Sequence, residues 1–188
     1  MNTYTPQPLE SLFEGRDTVI ARDLKLNLQK SLFEGALPPE EGHFALLALA
    51  TSVGHQGLAT YAREALHQAG VTPELIREAA ESAALTGMLN LYYRFRHFIE
   101  HSQGSEGAAR YTRVGLRMNA MMKPQMGHQR FEMLAFAVSV VNGCEMCVNG
   151  HEKKLLDLGV EPDAIHDLAR LASLVKATKD LEVAQGAP

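Results

Sequence analysis

The sequence predicts an all-α fold, and three observations carry that prediction. Apolar residues recur at three- and four-residue spacing along almost the whole chain. Alternation of β-branched residues over five or more positions is nearly absent, so no strand pattern competes. Sliding the chain by 89 residues aligns His43–Ala84 with Glu132–Ser173 without a gap, which predicts two copies of one three-helix unit.

The elements follow in order. Periodicity alone places a helix at 18–33. Pro38-Pro39 followed by Glu40-Glu41 opens the next, 39–53, with proline in the first turn and acid at the positive end of the dipole; Gly54 ends it. A helix at 57–69 stops before Gly70, and Thr72-Pro73-Glu74 opens one at 73–86. Helices at 88–102, before Gly104, and at 109–119 complete the first half. In the second half, 128–141 ends before Gly143, 144–158 lies between Gly143 and Gly159, and Pro162-Asp163 opens 162–181. The pentapeptide SLFEG, found at Ser11 and Ser31, is too short to carry an inference.

The repeat separates scaffold from chemistry. Matched positions such as Ala48/Ala137, Gly54/Gly143, Leu66/Leu155, Gly70/Gly159 and Pro73/Pro162 are apolar, glycine or proline, as fold determinants are. The informative mismatches set Glu132, Cys144, Cys147 and His151 against His43, His55, Leu58 and Ala62. The second copy therefore carries the candidate site.

A chain of 188 residues buries about 70% of its unfolded surface, enough for one domain spanning 1–188. Hydrophobic residues at 46% and charged residues at 21% fit a globular chain, and no run of 18 apolar residues predicts a membrane span. The N-terminus lacks a basic segment followed by an apolar one, so the cytoplasm is the expected location. A net charge of −4 with scattered basic residues argues against nucleic acid as a partner. The densest basic stretch, Tyr92–Phe98, reads as an amphipathic helix with two exposed arginines. Dinucleotide, P-loop and serine-hydrolase motifs are absent. The methionines at 118, 121, 122 and 126 read as core or subunit packing, and the histidines at 43, 55, 67, 97, 101 and 166 show no ligand spacing.

Cys144 and Cys147 are the only cysteines, too few for a disulfide framework, so the C-x-x-C reads as redox-active or metal-binding. Placed in a first helical turn after Gly143, Cys144 is a thiol whose anion the backbone N–H groups stabilise. Cys147 at i+3 is able to close a disulfide with it. His151, four residues beyond Cys147, shares its helix face. Glu145 opposes the thiolate at short range, and Gly150 loosens the turn that holds His151. A closed zinc site needs four ligands; Cys144, Cys147 and His151 supply three, with Glu132 or His128 as the fourth.

The pattern E-x11-C-x-x-C-x-x-x-H at Glu132, Cys144, Cys147 and His151, within FEMLAFAVSVVNGCEMCVNGHEKKLLDLGV, resembles the active site of the alkyl hydroperoxide reductase D family, in the carboxymuconolactone decarboxylase-like superfamily. The likeness extends to DLKLNL at Asp23, GMLNLYYRFRHF at Gly87 and GLRMN at Gly115, and so covers nearly the whole chain. It implies a helical protein of two related halves, assembled as a homotrimer, with thiol-dependent peroxidase activity and no bound cofactor. A dihydrolipoyl group on a lipoylated acyltransferase is the implied electron donor, and the oxidised peroxiredoxin of the same reductase system is a further implied partner. Carried over, Cys147 is the peroxidatic cysteine that passes through a sulfenic acid, and Cys144 is the proton donor and resolving partner. Glu132 is the base that receives a proton relayed by His151. Some relatives carry a second histidine just before the second cysteine; here Met146 occupies that position and has no proton to shuttle. Three other functions compete: a general thiol–disulfide oxidoreductase without peroxidase activity, a zinc-stabilised helical module, and a lactone decarboxylase, which would not need the dithiol.

Overall fold

The computed structural model describes residues 9–184; both ends of the expected single domain, residues 1–8 and 185–188, lie outside the described residues. Among the described residues all regular structure is helical, as expected. After a 3-10 turn at Glu10–Leu12 come α1 (Val19–Phe33), α2 (Pro39–Val53), α3 (Gln56–Gln68), α4 (Pro73–Ala109), α5 (Asn119–Met122), α6 (His128–Val141), α7 (Glu145–Asp157) and α8 (Pro162–Ala184). No helix among them is long and apolar enough to cross a membrane.

The repeat is visible in the helix positions. The starts of α3 and α7, and those of α4 and α8, are 89 residues apart, as is the start of α2 from that of α6. Each copy turns its first corner with one device. Gly54 (φ 73°) and Gly143 (φ 63°) adopt left-handed backbone, and the next residue donates its N–H back into the helix: His55 to the Ala50 carbonyl (2.9 Å), Cys144 to that of Ser139 (3.1 Å).

The middle of the molecule is a pair of equivalent helices. α2 is buried continuously from Gly42 to Ala50, and α6 from Phe131 to Ser139. Helices apolar on all sides need partners on all sides, and α2 and α6 pack on each other as well as on α4 and α8. Arg130 ties them together at their N-terminal ends. Its guanidinium donates to Glu41 (2.6 and 2.8 Å) and Glu40 (2.6 Å) and lies 4.0 Å over the ring of Phe44. Arg130 and Glu41 are themselves 89 residues apart, so the clasp joins equivalent positions of the two copies.

Three expectations are corrected. The helices expected at 73–86 and 88–102 are one element, α4, running on to Ala109 across a non-helical residue, Gly104 (φ 72°). A glycine at 87 costs a helix about 1 kcal/mol, too little to stop one that buries residues on both sides of it. The helix expected at 109–119 is instead a turn at 110–111 and irregular chain at 112–118, between the end of α4 at Ala109 and the short α5, Asn119–Met122; Gly115 (φ 70°) and the β-branched Thr112 and Val114 oppose continuation. The two arginines expected to be exposed, Arg94 and Arg96, are both partly buried.

Candidate active site

α6 places a carboxylate where one is costly. Glu132 is 3% exposed in the most apolar helix of its copy, so its charge must be matched locally. Two side chains of α7 do this. His151 Nδ1 lies 2.7 Å from Glu132 Oε2, and Lys154 Nζ donates to Oε1 at 2.5 Å. Burial works against the anion, but the hydrogen bonds and charges of His151 and Lys154 outweigh it and hold the Glu132 pKa below its ordinary value of 4.5. An ionised carboxylate only accepts, so Nδ1 carries the proton of this bond.

The two sulfurs sit at the start of α7. Cys144 is the N-cap residue (φ −96°, ψ 90°), and Cys147 is the one that falls within the first turn, a shift of one position from the expected helix 144–158. The field of the helix N-terminus therefore reaches both sulfurs. They form a disulfide, with Cα atoms 5.3 Å apart. Cys144 is 1% exposed and Cys147 8%.

Cys147, and not Cys144, lines a cavity of about 300 Å³ between α4, α6 and α7. Leu85, Leu89, Met118, Met121, Phe131 and Ala135 form its apolar wall. Glu132, His151 and Lys154 line it too, with Asn90 and Tyr93 from α4. The structure thus brings all four expected site residues together, three of them on the cavity wall. α7 is unbroken at Gly150, and the His151–Glu132 bond holds the turn that the glycine was expected to loosen. Glu145 is largely exposed, with its carboxylate 3.8 Å from His97 of α4, so solvent screens its charge. Met146 also lines the cavity.

Two further groups were not anticipated. Lys154 is three residues beyond His151 and seven beyond Cys147, which puts all three on one face of α7; that spacing is the signal in the sequence. The second is a polar chain that supports the turn before Cys144. Asn90 donates to Ser139 Oγ and accepts from Asn142 Nδ2 (2.9 Å each), and Arg94 donates to the Asn142 carbonyl (2.5 Å). Asn90 and Ser139 are 1% and 0% exposed. In the first copy, His55 takes the place of Cys144: its Nδ1 accepts from the Leu58 N–H (3.3 Å), a helix cap where the second copy has a sulfur.

A metal would have to compete with these bonds. Among the described residues no group of three or more His, Cys, Asp or Glu side chains is arranged to hold one.

Comparison with known proteins agrees with the geometry. The carboxymuconolactone decarboxylase family model matches residues 107–185. A protein of Anaeromyxobacter dehalogenans (strain 2CP-C) named alkyl hydroperoxide reductase AhpD is 41% identical over 157 residues, 84% of this chain and 81% of the relative. Proteins with the same name from Streptomyces coelicolor and Rhodopseudomonas palustris (strain BisB18) are 34% and 33% identical, again over 84% of this chain and over 85% and 83% of their own lengths. The chain belongs to the AhpD family of alkyl hydroperoxide reductases.

Proposed function

We propose that the protein reduces organic hydroperoxides with the Cys144–Cys147 dithiol and is returned to the dithiol by a dihydrolipoyl group. The observation that carries this reading is the asymmetry of the two sulfurs. Cys147 lines a substrate-sized cavity that also holds the Glu132–His151 pair, while Cys144 is the more deeply buried disulfide partner.

The Glu132–His151 pair takes the Cys147 proton, directly or through water. The thiolate attacks the hydroperoxide; an S–O bond forms, the O–O bond breaks and the alcohol leaves with a proton, giving Cys147 sulfenic acid. Cys144 attacks that sulfur, the S–S bond forms, and the hydroxyl departs as water. Exchange with the two thiols of a dihydrolipoyl group restores the dithiol and leaves the lipoyl ring oxidised. Met146 supplies no second imidazole, so Cys144 itself is the proton donor to the leaving alkoxide. The apolar wall of Leu, Met and Phe side chains suits an alkyl or aryl substituent on the hydroperoxide. The lipoyl carrier is a lipoylated acyltransferase, an oxidised peroxiredoxin is a second electron acceptor, and the working assembly is a homotrimer.

Steady-state turnover of cumene hydroperoxide with dihydrolipoamide as donor tests the reading. Wild-type protein should turn over and Cys147→Ser should not. Full turnover by Cys147→Ser would overturn the nucleophile assignment. Disulfide exchange with no peroxide consumption would replace the reading with a general thiol–disulfide oxidoreductase.

A further inference from the structure

Each oxygen of the Glu132 carboxylate has a partner on α7. Its Oε2 faces His151 Nδ1 at 2.7 Å and its Oε1 accepts from Lys154 Nζ at 2.5 Å, with the Glu132 side chain 4% exposed and that of Lys154 54%. A carboxylate held by two cationic or N–H donors is fixed in orientation and is a poor terminal proton acceptor. We propose that Lys154 is a positioning residue of this site. Its ammonium anchors the second oxygen of Glu132, which fixes the carboxylate on His151 Nδ1 and makes His151 Nε2 the atom where the Cys147 proton comes to rest. The inference deepens the proposed function, and it moves the end of the proton relay from Glu132 to His151.

The chemistry follows from the bond pattern. With Nδ1–H given to the carboxylate, a neutral His151 has its lone pair on Nε2, on a ring that lines the cavity together with Cys147. Proton transfer from Cys147 then creates a thiolate and an imidazolium, with Glu132 balancing the imidazolium and Lys154 balancing Glu132. The row of charges alternates in sign from sulfur to ammonium. Without Lys154, the negative field of Glu132 reaches the thiolate uncompensated, and the carboxylate loses the anchor that holds it on His151 Nδ1 as counter-ion of the imidazolium. Both effects oppose the thiolate.

Lys154 is the one ammonium among the residues that line the cavity. The largest influences of other side chains on Glu132 come from His151 and Lys154, both on α7; α4 brings the phenol of Tyr93 and the amide of Asn90 to the same cavity. The outer charges of this region, Glu145 and His97, face one another at 3.8 Å.

The test uses the full chain carrying Cys144→Ser, so that Cys147 is the single thiol, with Lys154 as wild type, Lys154→Met or Lys154→Arg. The rate of alkylation by iodoacetamide against pH gives the thiol pKa, and nitrogen-15 histidine spectra give the tautomer of His151. Lys154 lies seven residues, about 10 Å, along α7 from Cys147 and is half-exposed, so Lys154→Met should raise the thiol pKa by a few tenths, which lowers alkylation about twofold below the midpoint. Lys154→Arg should restore most of it, and wild-type His151 should be protonated on Nδ1 alone. An unchanged thiol titration in Lys154→Met, or a His151 protonated on Nε2 alone, would overturn the proposal. Neither readout requires peroxide turnover, so a protein that ignored hydroperoxides would sink the peroxidase reading and leave this one standing.

Discussion

Replacing Glu132 by Gln separates the two roles a buried carboxylate can have. The amide is close to isosteric, and its oxygen still accepts from His151 Nδ1, but the charge is gone. Lys154, released from Glu132, is 54% exposed and regains water at little cost. Since removing a buried charge also removes its desolvation penalty, stability at neutral pH should change by no more than about 1 kcal/mol. The effect on chemistry is larger. The helix N-terminus and the relay both lower a thiol pKa from its free value of about 8.5. Each unit that Glu132→Gln restores to the Cys147 pKa cuts the thiolate fraction below that pKa, and with it the rate with hydroperoxide, about tenfold. The loss should shrink as pH rises and vanish near pH 9.5, where both proteins are thiolates. Stopped-flow reaction of the reduced proteins with cumene hydroperoxide between pH 5 and pH 10 measures it. An equal loss at every pH would refute the reasoning, because the carboxylate would then act on something other than thiol ionisation. The same variant tests the linkage to stability. The folded pKa of Glu132 lies below its ordinary 4.5, so its contribution is present above that value and is lost as pH falls through the folded one. Glu132→Gln should therefore lose less stability than wild type on acidification in that window.

Two further predictions concern the scaffold. Arg130→Met leaves Glu41 (20% exposed) and Glu40 (43% exposed) without their shared cation. Breaking a fully buried pair costs 3–5 kcal/mol; discounted for this exposure, about 2 kcal/mol should be lost in urea unfolding, and a loss below about 0.5 kcal/mol would show the clasp to be ornamental. Asn90→Leu strands Ser139 Oγ and Asn142 Nδ2 and should cost about 2 kcal/mol. It should also slow closure of the Cys144–Cys147 disulfide, measured as the lifetime of the sulfenic acid, more than the first attack on peroxide. Equal slowing of both steps would count against a role in positioning Cys144.

Much of the fold is legible in the sequence because it is written twice. The 89-residue offset aligns α2 with α6, α3 with α7 and α4 with α8, and the glycines at 54 and 143 mark turns that left-handed backbone requires. What is not legible depends on tertiary contact. Gly87 looks like a helix break, yet α4 runs through it because burial on both sides outweighs a local penalty of about 1 kcal/mol. Segment 109–119 has apolar residues at helical spacing, but Gly115 and the β-branched residues prevail. At the site, the spacing of Cys144, Cys147 and His151 identifies one helix face, and Glu132 stands out as an acid in an apolar run. Lys154 lies on the same face but reads as one of two adjacent surface lysines until Glu132 is seen across the helix pair. Asn90 and Arg94 are 48–52 residues from the partners they hold, and nothing local in the sequence joins them.

The central claim is that Cys147 attacks hydroperoxide and Cys144 resolves it. The most direct measurement is the intact mass of the reduced Cys144→Ser protein after one equivalent of cumene hydroperoxide, with dimedone to trap any sulfenic acid, beside wild type treated in the same way. The account predicts one dimedone adduct on Cys147 in the variant, and in wild type the loss of two hydrogens, reversed by dihydrolipoamide. An unmodified Cys147 in the variant, together with wild-type thiols that survive the peroxide, would contradict it.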